Sequence, residues 1–209
     1  MFSILRWGVI LSFFICVISL FLLVLKTLSF GRRPLFAKSR GEAKRGIYYA
    51  FGKGMMPWEK ESAGKHILTY VAGILYHLGI FVALFYLSSL VIPFSLRIPI
   101  ILRVLLGLGF ICGIGVLMKR ILHVSLRRIS CPDDFASNIL VDMFLAFALA
   151  STFSQEFTLY FYSTSILLFL YIPLGKIRHC VFFFYTRILF GFFYGRRGVL
   201  PRGNAKFET

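Results

Sequence analysis

Five long apolar stretches, separated by short polar punctuation, organise this chain. A membrane-crossing helix needs about 20 mostly apolar residues. The pattern predicts helices over about 4–29, 66–92, 98–118, 136–153 and 157–190. Pro93 and Pro99 bracket a tight turn between the second and third, and Ser154, Gln155 and Glu156 make another between the fourth and fifth. Asp142 interrupts the fourth stretch. Pro173 falls inside the fifth, where a missing N–H breaks the helical ladder. That helix is expected to leave the membrane near Lys176 and continue along the interface. The first run could be a signal peptide. It is too long for a typical signal core and lacks an A-x-A-like cleavage site before the basic loop, so it reads as a retained first helix. The expectation is an all-α integral membrane protein: one domain over 1–209, five transmembrane helices in a bundle, with no internal repeat.

Composition supports this and charge adds orientation. Hydrophobic residues make up 58% of the 209, with 25 Phe, while the formal net charge is +16. Such a charge on a soluble chain would suggest nucleic acid, but its distribution argues otherwise. Arg32, Arg33, Lys38, Arg40, Lys44, Arg45, Lys53, Lys60 and Lys65 fill the connection after the first helix. Lys119, Arg120, Arg127 and Arg128 follow the third helix, and seven more basic residues from Lys176 to Lys206 occupy the last segment. The intervening connections are almost free of Lys and Arg. Alternating basic and non-basic connections are the positive-inside signature. They predict an outside N-terminus and a cytoplasmic C-terminus, in a multi-pass protein of the cytoplasmic membrane of a bacterium or archaeon. Cys16, Cys112, Cys131 and Cys180 are scattered, so neither a disulfide framework nor a thiolate metal site is implied.

Against this apolar background two histidines stand out. His77 lies in ILYHLGIFVALFYLSSLVI and His179 in IPLGKIRHCVFFFY. An ionisable side chain in a membrane segment is costly and so marks a candidate functional site. Imidazole is also a usual axial ligand of haem iron. With the orientation above, both histidines are expected at similar depth in the cytoplasmic half of the bilayer, on antiparallel helices. Each also has an ordinary reading: His77 as a core residue bonded to a Ser, Tyr or carbonyl partner, and His179 as an interfacial residue beside Lys176 and Arg178. Those two cations could equally meet haem propionates. His66 precedes His77 by eleven residues, about 1100° of helical rotation, and so shares its face. It sits at a wet boundary and reads as interfacial. His123 falls among basic residues and reads as solvated or facing lipid headgroups.

Three segments form an ordered pattern: YHLGI with His77, MKRIL…LRRISCPDDF after the third helix, and IPLGKIRHCVFFFYTR with His179. Together with the terminal GRRGVLP, this resembles the gamma subunit of respiratory nitrate reductase. The same superfamily includes membrane cytochromes b that partner heterodisulfide-reductase-like iron–sulfur proteins. The resemblance covers roughly residues 57–201. It implies five helices with an outside N-terminus and a cytoplasmic C-terminus, and two b haems held by four histidines. His77 matches the inner ligand of helix two, and His179 the inner ligand of helix five. The outer positions fall at Leu87 and Phe161, and neither side chain can ligate iron. The resemblance therefore implies one inner haem b ligated by His77 and His179, with the outer haem lost.

The function this implies is that of a membrane-anchoring b-type cytochrome subunit of a respiratory complex. Such a subunit is expected to pass electrons between a membrane quinone, expected to be menaquinone, and an iron–sulfur subunit on the cytoplasmic face, alongside other membrane subunits and lipid. Lys176, His66, Tyr70 and Tyr76 are the polar groups nearest an inner quinone site. The alternative is a haem-free anchor or assembly subunit of a membrane complex. A small lipid-modifying membrane enzyme is suggested only by size and basic loops. Asp133 and Asp134 are expected to cap helix four. Asp142 is expected to bond Ser, Thr or Arg partners in the bundle or to carry a proton. Gly107, Gly109, Gly113 and Gly115 permit close helix approach.

Overall fold

The computed structural model describes residues 2–31, 38–59, 64–92 and 99–201. All regular structure among them is helical: α1 (Phe2–Ser29), α2 (Ala43–Phe51), α3 (Ile67–Val91), α4 (Ile100–Leu122), α5 (Val124–Ile129), α6 (Pro132–Ser151), α7 (Phe157–Tyr171) and α8 (His179–Arg196). Short 3-10 turns occupy Lys53–Met55, Pro57–Glu59 and Lys176–Arg178. Four helices are long and apolar enough to cross a membrane: Ser3–Ser29 of α1, α3, α4 and α6. The broken pair formed by α7 and the segment Lys176–Arg196 makes a fifth if it counts as one span.

The boundaries depart from the hydropathy pattern where chemistry other than apolarity extends a helix. α6 begins at Pro132, not near residue 136. Pro at the first helical position forfeits a bond the helix would not make anyway. Asp134 then completes a capping box by accepting the Cys131 N–H at 2.9 Å. α4 runs on to Leu122, with Lys119 and Arg120 in its last turn, where cations complement the partial negative charge of a helix C-terminus. The fifth stretch breaks after Tyr171, and Pro173 lies buried in the break. The turn holding Pro93 lies outside the described residues, as do Arg32, Arg33, Lys60, Arg202 and Lys206.

The chain packs as two compact units. One comprises Met1–Leu20 and Leu68–Arg178. Within it, the α1 residues Val9, Ser12, Cys16 and Leu20 recur at helical spacing and are buried. Beside that stripe, Phe13 meets Phe169 of α7 edge-on at 5.4 Å. α3 crosses α4 where Gly79 and Gly109 face each other; a Cβ on either would lie 2.7 Å from the other's Cα. α6 packs against both α4 and α7. Leu106, Phe144, Leu145 and Phe161 form the fully buried centre.

The other unit comprises Phe21–Ile67 and His179–Thr209. The basic connection expected as a loop contains α2, packed lengthwise on α8. Glycines set that contact: a Cβ at Gly191 would lie 2.5 Å from Ile47 Cα, and one at Gly195 would lie 2.7 Å from Gly46 Cα. The Arg40 and Gly41 N–H groups both donate to the Arg196 carbonyl, at 2.9 and 3.0 Å. Phe51 stacks on Phe184 with centroids 6.3 Å apart.

Candidate functional site

α3 carries His77 on an exposed face, one turn beyond Gly73. His77 Nδ1 lies 2.7 Å from the Gly73 carbonyl oxygen. A carbonyl only accepts, so Nδ1 holds the proton and the Nε2 lone pair is the one able to bind a metal. Metal-binding histidines commonly fix their tautomer this way, by donating the other ring N–H to a carbonyl or carboxylate. Helical side chains lean toward the helix N-terminus, so the surface covered by residue 77 lies over the turn around residue 73. A Cβ at Gly73 would have nothing within 4 Å. Ile74, Leu78 and Phe81 around this site are 52%, 41% and 66% exposed. Tautomer, open backbone and apolar surround all fit a large planar apolar group ligated at Nε2.

At the basic end of the same unit a polar latch holds the chain after α7. Asp133 accepts from the Tyr171 hydroxyl and, at 2.8 Å, from the Lys176 N–H. Asp134 accepts from Lys176 Nζ at 2.7 Å and pairs with Arg120 at 3.5 Å. Gly175 is required here, since a Cβ would collide with the Tyr171 ring. Of the two residues expected to cap, Asp134 makes the capping bond, and both carboxylates anchor the broken segment to α6. Lys176 is engaged by Asp134, so a propionate there would have to share its ammonium group. Arg178 is exposed in the 3-10 turn, and the exposed His179 is the first residue of α8. His77 belongs to one unit and His179 to the other.

Leu87 and Phe161, at the outer ligand positions of the family pattern, are both core residues. Leu87 is 3% exposed and Phe161 fully buried. Phe161 stacks on Tyr86 with centroids 5.8 Å apart and meets Phe144 at 5.2 Å. Packed side chains occupy that level of the bundle.

A third constellation is not evident as one in the sequence. Asn138 Nδ2 donates to Asp142 Oδ2 at 2.9 Å and lies 3.2 Å from the Tyr76 hydroxyl and 3.4 Å from the Gly113 carbonyl. Asp142 is 4% exposed, and its Oδ1 has no hydrogen-bond partner among the described residues. Its partner is therefore an Asn one turn earlier on α6, not the Ser, Thr or Arg expected. The spacing of Asn138 and Asp142 was the available signal, because residues four apart on a helix are neighbours. Tyr76 is turned into this cluster, its hydroxyl meeting Asn138. Of the four α4 glycines, Gly109 and Gly113 make close approaches, whereas Gly115 faces open space.

His66 is exposed just before α3, and His123 is the exposed residue that ends α4. Among the described residues no group of three or more His, Cys, Asp or Glu could hold a metal ion, and a haem ligated by two histidines needs no such group. No family model, curated protein or solved structure matches this chain.

Proposed function

We propose that this chain is the membrane-anchoring b-type cytochrome subunit of a quinone-linked redox complex, holding one haem b between His77 and His179. The observation that carries the reading is the geometry at His77: a histidine inside an apolar span, with Nδ1 committed to the Gly73 carbonyl and an open glycine beside it. Bound haem supplies one-electron redox chemistry, and the protein supplies ligation, orientation and a dry surround. His77 and His179 would be the axial ligands. Arg178, with Lys176 sharing its ammonium with Asp134, would face the propionates. The count of one haem rests on Leu87 and Phe161, which fill the outer positions with packed hydrocarbon.

The orientation proposed has the N-terminus outside and the basic ends of the helices at the cytoplasmic face, where an iron–sulfur subunit would dock. Charge asymmetry supports the side, and the family resemblance supports the partner. A quinone, menaquinone by the same resemblance, would bind in the cytoplasmic half near the single haem. Lys176, His66, Tyr70 and Tyr76 are the polar groups proposed near it.

The test is a reduced-minus-oxidised spectrum of the purified chain, with pyridine haemochrome analysis of its haem content. One low-spin b haem per chain is expected, lost in both His77→Ala and His179→Ala. No haem at all would favour the haem-free anchor. A ratio near two would show that His66 or His123 had been recruited.

A further inference from the structure

We propose that the groove where α4 turns into α5 binds the phosphodiester headgroup of an anionic phospholipid. Lys119, Leu122, His123, Val124, Ser125 and Arg128 line it. α4 is an apolar span, so its charged last turn sits at headgroup level, where Lys and Arg side chains reach for the interface. The cations there are unequally engaged. Arg120 pairs with Asp134 at 3.5 Å, a carboxylate it shares with Lys176. Lys119 donates to the neutral Thr69 hydroxyl at 2.6 Å, which orients its ammonium group without cancelling its charge. No described carboxylate pairs with Lys119, Arg127 or Arg128.

The groove also has an apolar rim. Leu122 and Val124 of the lining are 68% and 50% exposed. A soluble anion would leave that rim in water, whereas a phospholipid covers it with acyl chain while its phosphate meets the cations. Charge complementarity and apolar continuity therefore select the same occupant. The site is independent of the one-haem proposal, because neither His77 nor His179 lines it.

The full chain in detergent, stripped of native lipid, is titrated with phosphatidylglycerol, phosphatidylcholine or inorganic phosphate. Bound copies are counted by native mass spectrometry, and melting is followed in parallel. Phosphatidylglycerol should be retained and raise the melting temperature; phosphatidylcholine should do so markedly less. Each cation near a membrane surface is worth about a fivefold factor in affinity. Arg128→Gln should weaken phosphatidylglycerol binding by that factor without changing lipid-free melting, and adding His123→Gln should weaken it further. Lys44→Gln, which removes one exposed charge elsewhere, should bind as the wild type does. Equal binding of the two lipids would overturn the proposal, as would equal losses in Arg128→Gln and Lys44→Gln. Displacement of phosphatidylglycerol by millimolar inorganic phosphate would assign the groove to a free anion instead.

Discussion

Gly46→Ala should loosen α2 from α8, and the size of the effect follows from the backbone. A Cβ at Gly46 would lie 2.5 Å from Gly195 Cα and closer still to the Gly191 carbonyl oxygen. Ordinary van der Waals contact begins at 3.4 Å, so the two helices must separate by about 1 Å to restore it. The obstructing atoms are backbone, so no rotamer change relieves them. Overpacking of this kind costs about 1–3 kcal/mol. Separation also stretches the bonds from the Arg40 and Gly41 N–H groups to the Arg196 carbonyl, each worth about 0.5–1.5 kcal/mol. A net loss of about 2–4 kcal/mol lowers the melting temperature of a chain this size by roughly 5–10 °C. Melting in detergent reads the loss directly, and tryptic cleavage at Lys44 and Arg45 should accelerate with it. Gly115→Ala is the control, because its Cβ meets nothing within 4 Å; it should gain up to about 1 kcal/mol of helix propensity. If Gly46→Ala melts with the wild type, or Gly115→Ala falls as far, the glycine contact between α2 and α8 is not what holds them.

Gly73→Leu separates the haem reading from the haem-free anchor: a Cβ at Gly73 meets nothing within 4 Å, so melting should hold while haem content falls at least severalfold, and full haem retention would refute the placement of haem beside Gly73. Phe161→Ala should destabilise the first unit by about 3–5 kcal/mol, the range for emptying a buried aromatic position, whereas Phe161→His should not raise haem content; a second haem in that variant would show an outer site still intact. Sidedness is best read at Tyr48, which is 79% exposed, because a Cβ at Gly41 would collide with the Gly195 carbonyl oxygen at 2.5 Å. Tyr48→Cys in intact cells should resist a membrane-impermeant thiol reagent, and rapid labelling would invert the proposed topology. Asn138→Ala removes the donor to Asp142 Oδ2 and leaves a buried carboxylate short of a partner, so it should cost about 1–3 kcal/mol or more in thermal stability; an unchanged melting temperature would show that the cluster contributes little.

The apolar runs were enough to place the membrane helices, because length and hydropathy alone decide whether a segment can cross a bilayer. The break after Tyr171 was legible from Pro173, and the capping of α6 from Asp134. His77 was visible because an imidazole in an apolar run is rare. Its commitment to Gly73 was open to inference from a spacing of four. α2 was hidden by its length and its basic surroundings: Ala43–Phe51 spans nine residues, too few to stand out as a span, and its amphipathic pattern was the local signal that could have revealed it. It exists against α8 through Gly46, Gly191 and Gly195, which lie some 145 residues apart in sequence. Glycines of that kind read as permission for close approach without naming what approaches.

The chain's own chemistry thus determined which segments are helices, where the charged ends lie and which rare polar side chains enter the apolar layer. Tertiary structure decided which face of each helix packs. A membrane helix is apolar on the side facing lipid as well as the side facing protein, so its hydrophobic periodicity is weak and carries little orientation. Only packing could turn Tyr76 inward onto Asn138 while leaving its neighbour His77 exposed on the face that Gly73 opens. Only packing could seal Leu87 and Phe161 into the core. The steric fit of small against large side chains made those choices, and it is a property of pairs of helices that no single helix contains.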